Sequence, residues 1–304
     1  MDFIEGRKVI ETLTVELLRE RVNAYEYLPG KLQSIPSRKG VKKAFGRKQI
    51  LVNGRFIRSN HELKPNDLVQ VLEYTDTVKK VYHLDLDVRY EDDHLAVVVK
   101  PSGMPTSGNA LKTLQNALPG SIKKSTQADA LGVPLTVHRL DAKTHGLVVV
   151  AKSARARIKL GELFENRAVH KRYVAIVQGK LEGEGTVNER VDSKEAITEF
   201  RSKEVFQSIK DRYNTIVEFF PKTGRRHQLR IHMSQIGHPI VGDVKYSKKD
   251  DVLRGKGMFL SSDRIEFEHP VTNEIVIVET ELPEKFERFK ERTIRWYNRV
   301  KGQD

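Results

Sequence analysis

The chain has 304 residues, 38% of them hydrophobic, enough for a packed core in one large domain with a small one beside it. It contains no cysteine, which excludes disulfides, thiol nucleophiles and cysteine-ligated metal sites. Lysine and arginine number 54 against 41 aspartates and glutamates, a net charge of +13 that favours nucleic acid as a partner ahead of an anionic membrane surface. No run approaches the roughly 20 apolar residues of a membrane span, and the start, MDFIEGRKVIETLTVELL, lacks a signal-peptide pattern, so a soluble cytoplasmic protein is expected.

Residues 10–73 form a candidate small domain. Ser37 is placed to cap a helix from Arg38 to Arg47, which Gly40 and Gly46 weaken. Gln49 to Val52 reads as a strand, Asn53-Gly54 as a hairpin turn because both residues tolerate positive φ, and Arg55 to Ser59 as the return strand. A turn at Lys64-Pro65-Asn66-Asp67 precedes the alternating Leu68 to Leu72. Arg38, Lys39, Lys42, Lys43, Arg47 and Lys48 crowd the helix with few acids among them. A solvated face is the ordinary explanation of such a run; phosphate contact is the better one here, and it would supply affinity and register rather than sequence choice. Residues 74–87 are charged, lack a sustained period and read as a linker.

In residues 88–300, short β-rich runs alternate with a few helices. Strands are expected at Leu95–Val99, Leu147–Ala151, Tyr173–Val177, Thr215–Phe220 and Glu274–Glu279. Helices are expected near Leu111–Leu118, Ala154–Asn166, Arg225–Ile236 and Glu284–Trp296, the last with Phe286, Phe289, Thr293 and Trp296 at core spacing. Strand runs mixed with segregated helices point to an α+β fold.

The stretch from Val137 to Lys152, VHRLDAKTHGLVVVAK, places Asp141 on a loop that leads into an apolar, β-branched run. A carboxylate there is held by a rigid scaffold and can still face a cleft. By spacing alone, an ion pair with Arg139 or Arg155 that merely closes the turn explains it equally well.

VHRLDAKTHG resembles the catalytic motif of the RluA-type pseudouridine synthases, with His145 where the pattern has serine. Three further segments resemble that family in its order: Lys100-Pro101-Ser102-Gly103 after an apolar run, Lys171-Arg172-Tyr173-Val174-Ala175, and TGRRHQLRIHMSQIGHPIVGDVKY from Thr223 to Tyr246. The segment from Ser37 to Glu73 resembles, more loosely, the small S-four-like RNA-binding domain that often precedes such catalytic domains.

The resemblance implies a mixed-sheet catalytic domain with a central RNA-binding cleft, preceded by a small α/β RNA-binding domain, and an enzyme that isomerises uridine in structured RNA. It implies no cofactor and no metal. Asp141 would be the catalytic carboxylate, Arg230 the cation that keeps it ionised, and Tyr173 the residue stacked on the target base with its hydroxyl available for proton handling. Leu229 would wall the pocket against water. Arg139 would fill the space left by a flipped base. His138 and Thr144 would shape the motif loop, and Lys100, Arg225 and Arg226, with Lys245 and Lys248, would form a basic rim. His145 would alter turn hydrogen bonding or RNA contact near Asp141. Ribosomal RNA is the favoured partner, transfer RNA the alternative, and a monomer the default.

Two rivals stand beside this reading. His138, Asp141 and His145, helped by His227 and His232, superficially offer the ligands of a metal hydrolase. A non-catalytic RNA-binding or ribosome-assembly protein on the same fold would suit the charge equally well, although it would not need Asp141, Tyr173 and Arg230 together.

Overall fold

A computed structural model of the chain describes residues 3–4, 7–18, 20–73, 81–247 and 257–302. The chain divides into two compact units, residues 1–79 and 80–304.

The first unit holds β1 (Phe3–Ile4), β2 (Arg7–Thr14), α1 (Ala24–Tyr27), α2 (Arg38–Gly46), β3 (Ile50–Val52), β4 (Arg55–Phe56) and β5 (Leu68–Leu72). Its sheet is antiparallel, in the order β1-β2-β5-β3-β4. Ser37 caps α2 by accepting from the Gly40 amide at 3.0 Å. Val41 and Ala44 turn into the core with Ile50, Val69 and Val71, which leaves Arg38, Lys39, Lys42 and Lys43 exposed. Arg47 follows as the C-cap and Lys48 turns the chain with a φ of 49°, both exposed. The return strand ends at Phe56 rather than Ser59. Of the stretch read as a linker, residues 74–80 lie outside the described residues. Residues 81–87 carry no helix or strand, but they pack on the second unit, where the Tyr82 amide donates to the Asn116 carbonyl and Leu86 is buried.

The second unit runs β6 (Val88–Glu91), β7 (Leu95–Lys100), α3 (Leu114–Ser121), β8 (Ala130–Thr136), β9 (His145–Ser153), α4 (Ala154–Glu165) and β10 (His170–Gln178). It continues with β11 (Glu184–Val187), β12 (Thr198–Ser208), β13 (Arg212–Pro221), α5 (Gln228–Gln235), β14 (Leu260–Glu268), β15 (Ile275–Glu279) and α6 (Lys285–Lys301). The strands form a mixed sheet in the order β11-β12-β13-β10-β14-β9-β7-β6, with β15 beside β14 and β8 beside β9. The expected α+β class holds.

One pairing makes this sheet mixed. β14 and β9 run parallel and touch at only two positions, Ser261 opposite His145 and Ser262 opposite Gly146. This short seam divides the sheet into two halves, each covered on both faces. Around β7 and β9, one face packs against Ala156 and Leu160 of α4 and the other against Leu114, Ala117 and Leu118 of α3. Double coverage explains why β9 is apolar along most of its length rather than alternating. Leu147, Val148, Val149 and Val150 are all fully buried, each stabilising the fold by about 1.5–3 kcal/mol at most. Across the seam, Leu229 and Met233 of α5 cover one face of β10 and β13, while Phe286 and Phe289 of α6 cover the other.

Gly146 lets the seam close. Its φ is +121°, and a Cβ there would lie 2.1 Å from the Ser262 carbonyl oxygen and 2.6 Å from the Ser262 nitrogen. Only a residue without a side chain admits that approach.

Several elements begin later than their sequence suggests. α3 starts at Leu114, capped by Thr113, and α5 at Gln228 after His227 in the left-handed region. Phe286, Phe289 and Thr293 of α6 are buried as expected, whereas Trp296 is 52% exposed and does not belong to the core.

Candidate active site

The loop before β9 carries Asp141 to the seam, and the Lys100–Thr106 segment holds that loop from beneath. Gly103 donates its amide to the Ala142 carbonyl at 2.7 Å, Ser102 Oγ donates to Lys143 O at 2.7 Å, and Thr106 Oγ1 donates to Leu140 O at 3.0 Å. The Thr144 amide closes the turn onto Asp141 O at 3.0 Å. Lys100 is therefore not on a basic rim. It is completely buried, and its Nζ donates to the carbonyls of Pro101, Met104 and Ala142 at 2.9, 2.8 and 3.3 Å. Burial pulls its ammonium down to about 8, against the opposing pull of the Asp141 charge.

Arg230 reaches Asp141 from α5. Its Nη1 donates to Asp141 Oδ2 at 2.9 Å, while Nε and Nη2 grip both oxygens of Asp243 at 2.6 and 2.9 Å. The alternative that Arg230 is a surface or capping residue fails, because it is 6% exposed and fully engaged. Asp243, only 1% exposed, also accepts from the Lys245 amide at 2.9 Å. Burial works against its charge, but the bonds from Arg230 and Lys245 outweigh it and hold the carboxyl below its ordinary value. A fixed anion behind the guanidinium pins it at the height of Asp141. Sequence reasoning quoted the segment containing Asp243 without assigning it a part; its contact with Arg230 spans 13 positions, and no local pattern announces it.

Only one oxygen of Asp141 is taken up in this way. Oδ1 has no hydrogen bond among the described residues, and His227 Nε2 lies 3.6 Å from it. His227 sits at a φ of 58°, a strained conformation for a residue with a side chain, and its Nδ1 lies 2.8 Å from the Tyr246 hydroxyl. Burial lowers its pKa, Asp141 opposes that, and Arg230 adds to the lowering. The Tyr246 ring lies 5.0 Å from the Arg230 guanidinium carbon, a cation–π contact on its face.

Tyr173 enters from β10. Opposite the step from Arg172 to Tyr173, β14 carries one extra residue, Asp263, and this bulge re-aims the strand at the site. Burial pushes the phenol up to about 12; the Ser262 side chain opposes this and the Asp141 charge adds to it. The hydroxyl therefore keeps its proton at any physiological pH.

Asp141, Thr144, Tyr173, Leu229 and Arg230 line one pocket with Arg139 and Arg225. The cavity itself is small, about 100 Å³, and opens to solvent. Arg139 is exposed at its mouth, and Arg225 donates Nε to the Glu195 carbonyl at 2.9 Å. Arg226 and Lys245 are exposed but do not line it, and Lys248 lies outside the described residues. His138 acts structurally: its Nε2 accepts from the Val149 amide at 2.9 Å, its ring stacks on Phe164, and burial lowers its pKa to about 3. His145 Nδ1 lies 3.0 Å from Ser261 Oγ, so the residue in the place of serine ties the two strands of the seam together. With His232 held by Thr198 and the Glu189 carbonyl, the histidines of the metal-hydrolase reading point to separate partners.

Residues 94–235 match the model of a family described as RNA pseudouridylate synthase. The chain is 34% identical over 258 residues to the "Uncharacterized RNA pseudouridine synthase YlyB" of Bacillus subtilis, an alignment covering 78% of this chain and 82% of that one. It is 34% identical over 270 residues to "Ribosomal large subunit pseudouridine synthase D" of Xanthomonas campestris, covering 78% and 79%. Among solved structures it is similar to "Human RNA Pseudouridylate Synthase Domain Containing 1", with a TM-score of 0.54 and 26% identity over 66% of this chain and 84% of that one.

Proposed function

The chain belongs to the RNA pseudouridine synthase family, and we propose from that premise that it isomerises uridines of large-subunit ribosomal RNA at Asp141. The observation that carries the assignment to Asp141 is the chain of contacts Asp141–Arg230–Asp243 at the wall of the pocket. The ribosomal target rests on the names of relatives similar over most of their length, such as the synthase D of Xanthomonas campestris.

The reaction breaks the bond between ribose C1′ and uracil N1, turns the base, and joins C1′ to C5. A proton leaves C5 and one is gained at N1, with no redox step. Asp141 serves either as the nucleophile or as the base that forms an unsaturated sugar. Both routes need an ionised carboxylate, which Arg230 secures at Oδ2 while Oδ1 stays open toward the substrate. Tyr173, which lines the pocket with Asp141, stacks on the base, and its hydroxyl passes its own proton on as it takes the one leaving C5. Leu229, in the wall of the pocket, keeps water from the sugar intermediate. Arg139, exposed at the mouth, occupies the space that the flipped uridine leaves. The basic face of α2, by its likeness to an S-four-like domain, adds phosphate contacts from the first unit. The protein acts in the cytoplasm as a monomer, without a cofactor.

Tritium release from RNA labelled at uracil C5 tests this reading, since that hydrogen leaves as the new bond forms. Release from unmodified large-subunit ribosomal RNA but not from transfer RNA is the expected result. Release from transfer RNA alone moves the substrate, and tight binding without release from either leaves an RNA-binding protein.

A further inference from the structure

A groove of about 750 Å³ opens beside the pocket, several times as large and sharing Arg139, Lys171 and Tyr173 with it. The tip of the α4–β10 turn, β12 and β13 form its sides, with Phe164 and Phe220 as apolar patches and Arg167, Arg201 and Lys222 as cations. Glu199 is the acid among its lining residues, and Lys222 already neutralises it at 2.8 Å.

Lys171 stands out by comparison with its neighbour. Successive strand residues face opposite sides of a sheet, so Lys171 and Arg172 meet different surroundings. Arg172 binds Asp263 at 2.7 Å and lies within reach of Glu218 and Glu279. Lys171 has neither a hydrogen bond nor a carboxylate partner among the described residues; its Nζ lies 5.7 Å from the Phe164 ring centre. Burial lowers its pKa, as expected of an ammonium withdrawn from water with no counter-charge. The cations farther out each have a protein carboxylate, Arg167 with Glu195 at 3.2 Å and Arg201 with Glu184 at 3.7 Å, in exposed pairs that contribute little. A half-buried cation between two cavities, without an anion of its own, is completed by an anion that arrives with the ligand.

We propose that Lys171 binds a phosphate of the substrate RNA where the strand passes from the pocket into the groove, and that the strand continues past Arg201 and Lys222. This rests on the RNA-synthase reading. It adds the path of the flanking strand and a residue that grips the backbone without touching the reacting base. Phe220 offers a ring surface to a neighbouring nucleotide, the usual partner of a phosphate track on single-stranded RNA.

The test compares the full chain with Lys171→Met, which keeps the length of the side chain and removes its charge, and with Lys171→Arg. The probe is unmodified large-subunit ribosomal RNA, read by tritium release and by equilibrium binding across salt concentrations. Lys171→Met is expected to raise KM about tenfold with kcat within about threefold, and to make the slope of log affinity against log salt shallower by about 0.7–0.9. Lys171→Arg should restore most of both. A second variant, Arg201→Ala with Lys222→Ala at exposed positions, should flatten the slope further, and it keeps the test valid if Lys171→Met folds poorly. An unchanged KM and slope in Lys171→Met overturns the proposal, as does a collapse of kcat at unchanged KM. The salt-slope measurement needs no turnover, so failure of the wild type to release tritium would count against the RNA-synthase reading and not against the groove.

Discussion

The surroundings of Asp141 and the outer face of α2 are both rich in cations but hold them differently. Around Asp141 two cations are withdrawn from water and tied to fixed partners, Arg230 to Asp243 and Lys100 to three carbonyls. On α2, Arg38, Lys39, Lys42 and Lys43 stand exposed around buried Val41 and Ala44. Buried charge demands complete pairing, so each part of the cluster depends on the others. Exposed charge acts additively and is screened by salt. The first arrangement suits chemistry at one atom, and the second suits affinity for a long polyanion.

The sharpest way to break the comparison is at the seam. Gly146→Ala places a methyl group 2.1 Å from the Ser262 carbonyl oxygen at a φ of +121°, so β9 and β14 must separate. Urea unfolding should show a loss of about 3 kcal/mol or more. Ordinary stability would mean that the seam is looser than its geometry.

Asp243→Ala ranks next. It leaves Arg230 buried with two of its three hydrogen bonds gone, and a loss of about 3–5 kcal/mol is expected. Any protein that remains folded should show reduced kcat, because the guanidinium is free to turn from Asp141. Full activity in the folded variant would show that Arg230 needs no support.

Lys100 sharpens the comparison through pH. Its folded pKa of about 8 lies below the ordinary 10.5, so the native state releases the proton first. The cost of burying the charge is present in full below about pH 8 and is relieved as pH rises toward 10.5. Across that window the wild type should gain up to about 3 kcal/mol relative to Lys100→Met. Turnover should fall over the same range, since a neutral amine cannot donate to all three carbonyls beneath the Asp141 loop. Parallel stability curves for the two proteins would contradict this.

The smallest effects belong to α2. Lys39→Gln, Lys42→Gln and Lys43→Gln should each weaken RNA binding modestly and make its salt slope shallower by about 0.7–0.9 per residue. Strongly non-additive losses in the triple variant would show that this face is organised like the active site.

How far the sequence could be read followed the same division. β7, β9 and β10 were legible because strands buried on both faces are written as apolar runs. The motifs group Asp141, Tyr173 and Arg230 by resemblance, and the three line one pocket. β12, reading TEFRSKEVFQS, was hidden because half of it faces water and its charges break the pattern. β14 was hidden for the opposite reason: its buried Ser261, Ser262 and Asp263 look like a loop until the seam they line is visible. Lys100 read as a surface cation because its three acceptors are main-chain carbonyls, which no side-chain pattern reports. Asp243 was missed, and His227 was weighed only as a metal ligand, because their parts arise from contacts between α5 and the turns around it.

The most direct test of the account is Asp141→Asn, followed at once for tritium release and for affinity toward the same ribosomal RNA. Asparagine keeps the shape of the side chain and removes the reactive charge. The account predicts release reduced by at least about 10²–10⁴-fold with a Kd within about threefold of the wild type. Release within tenfold of the wild type would place the chemistry elsewhere, and a collapse of Kd alongside the rate would make Asp141 a binding residue rather than the reacting one.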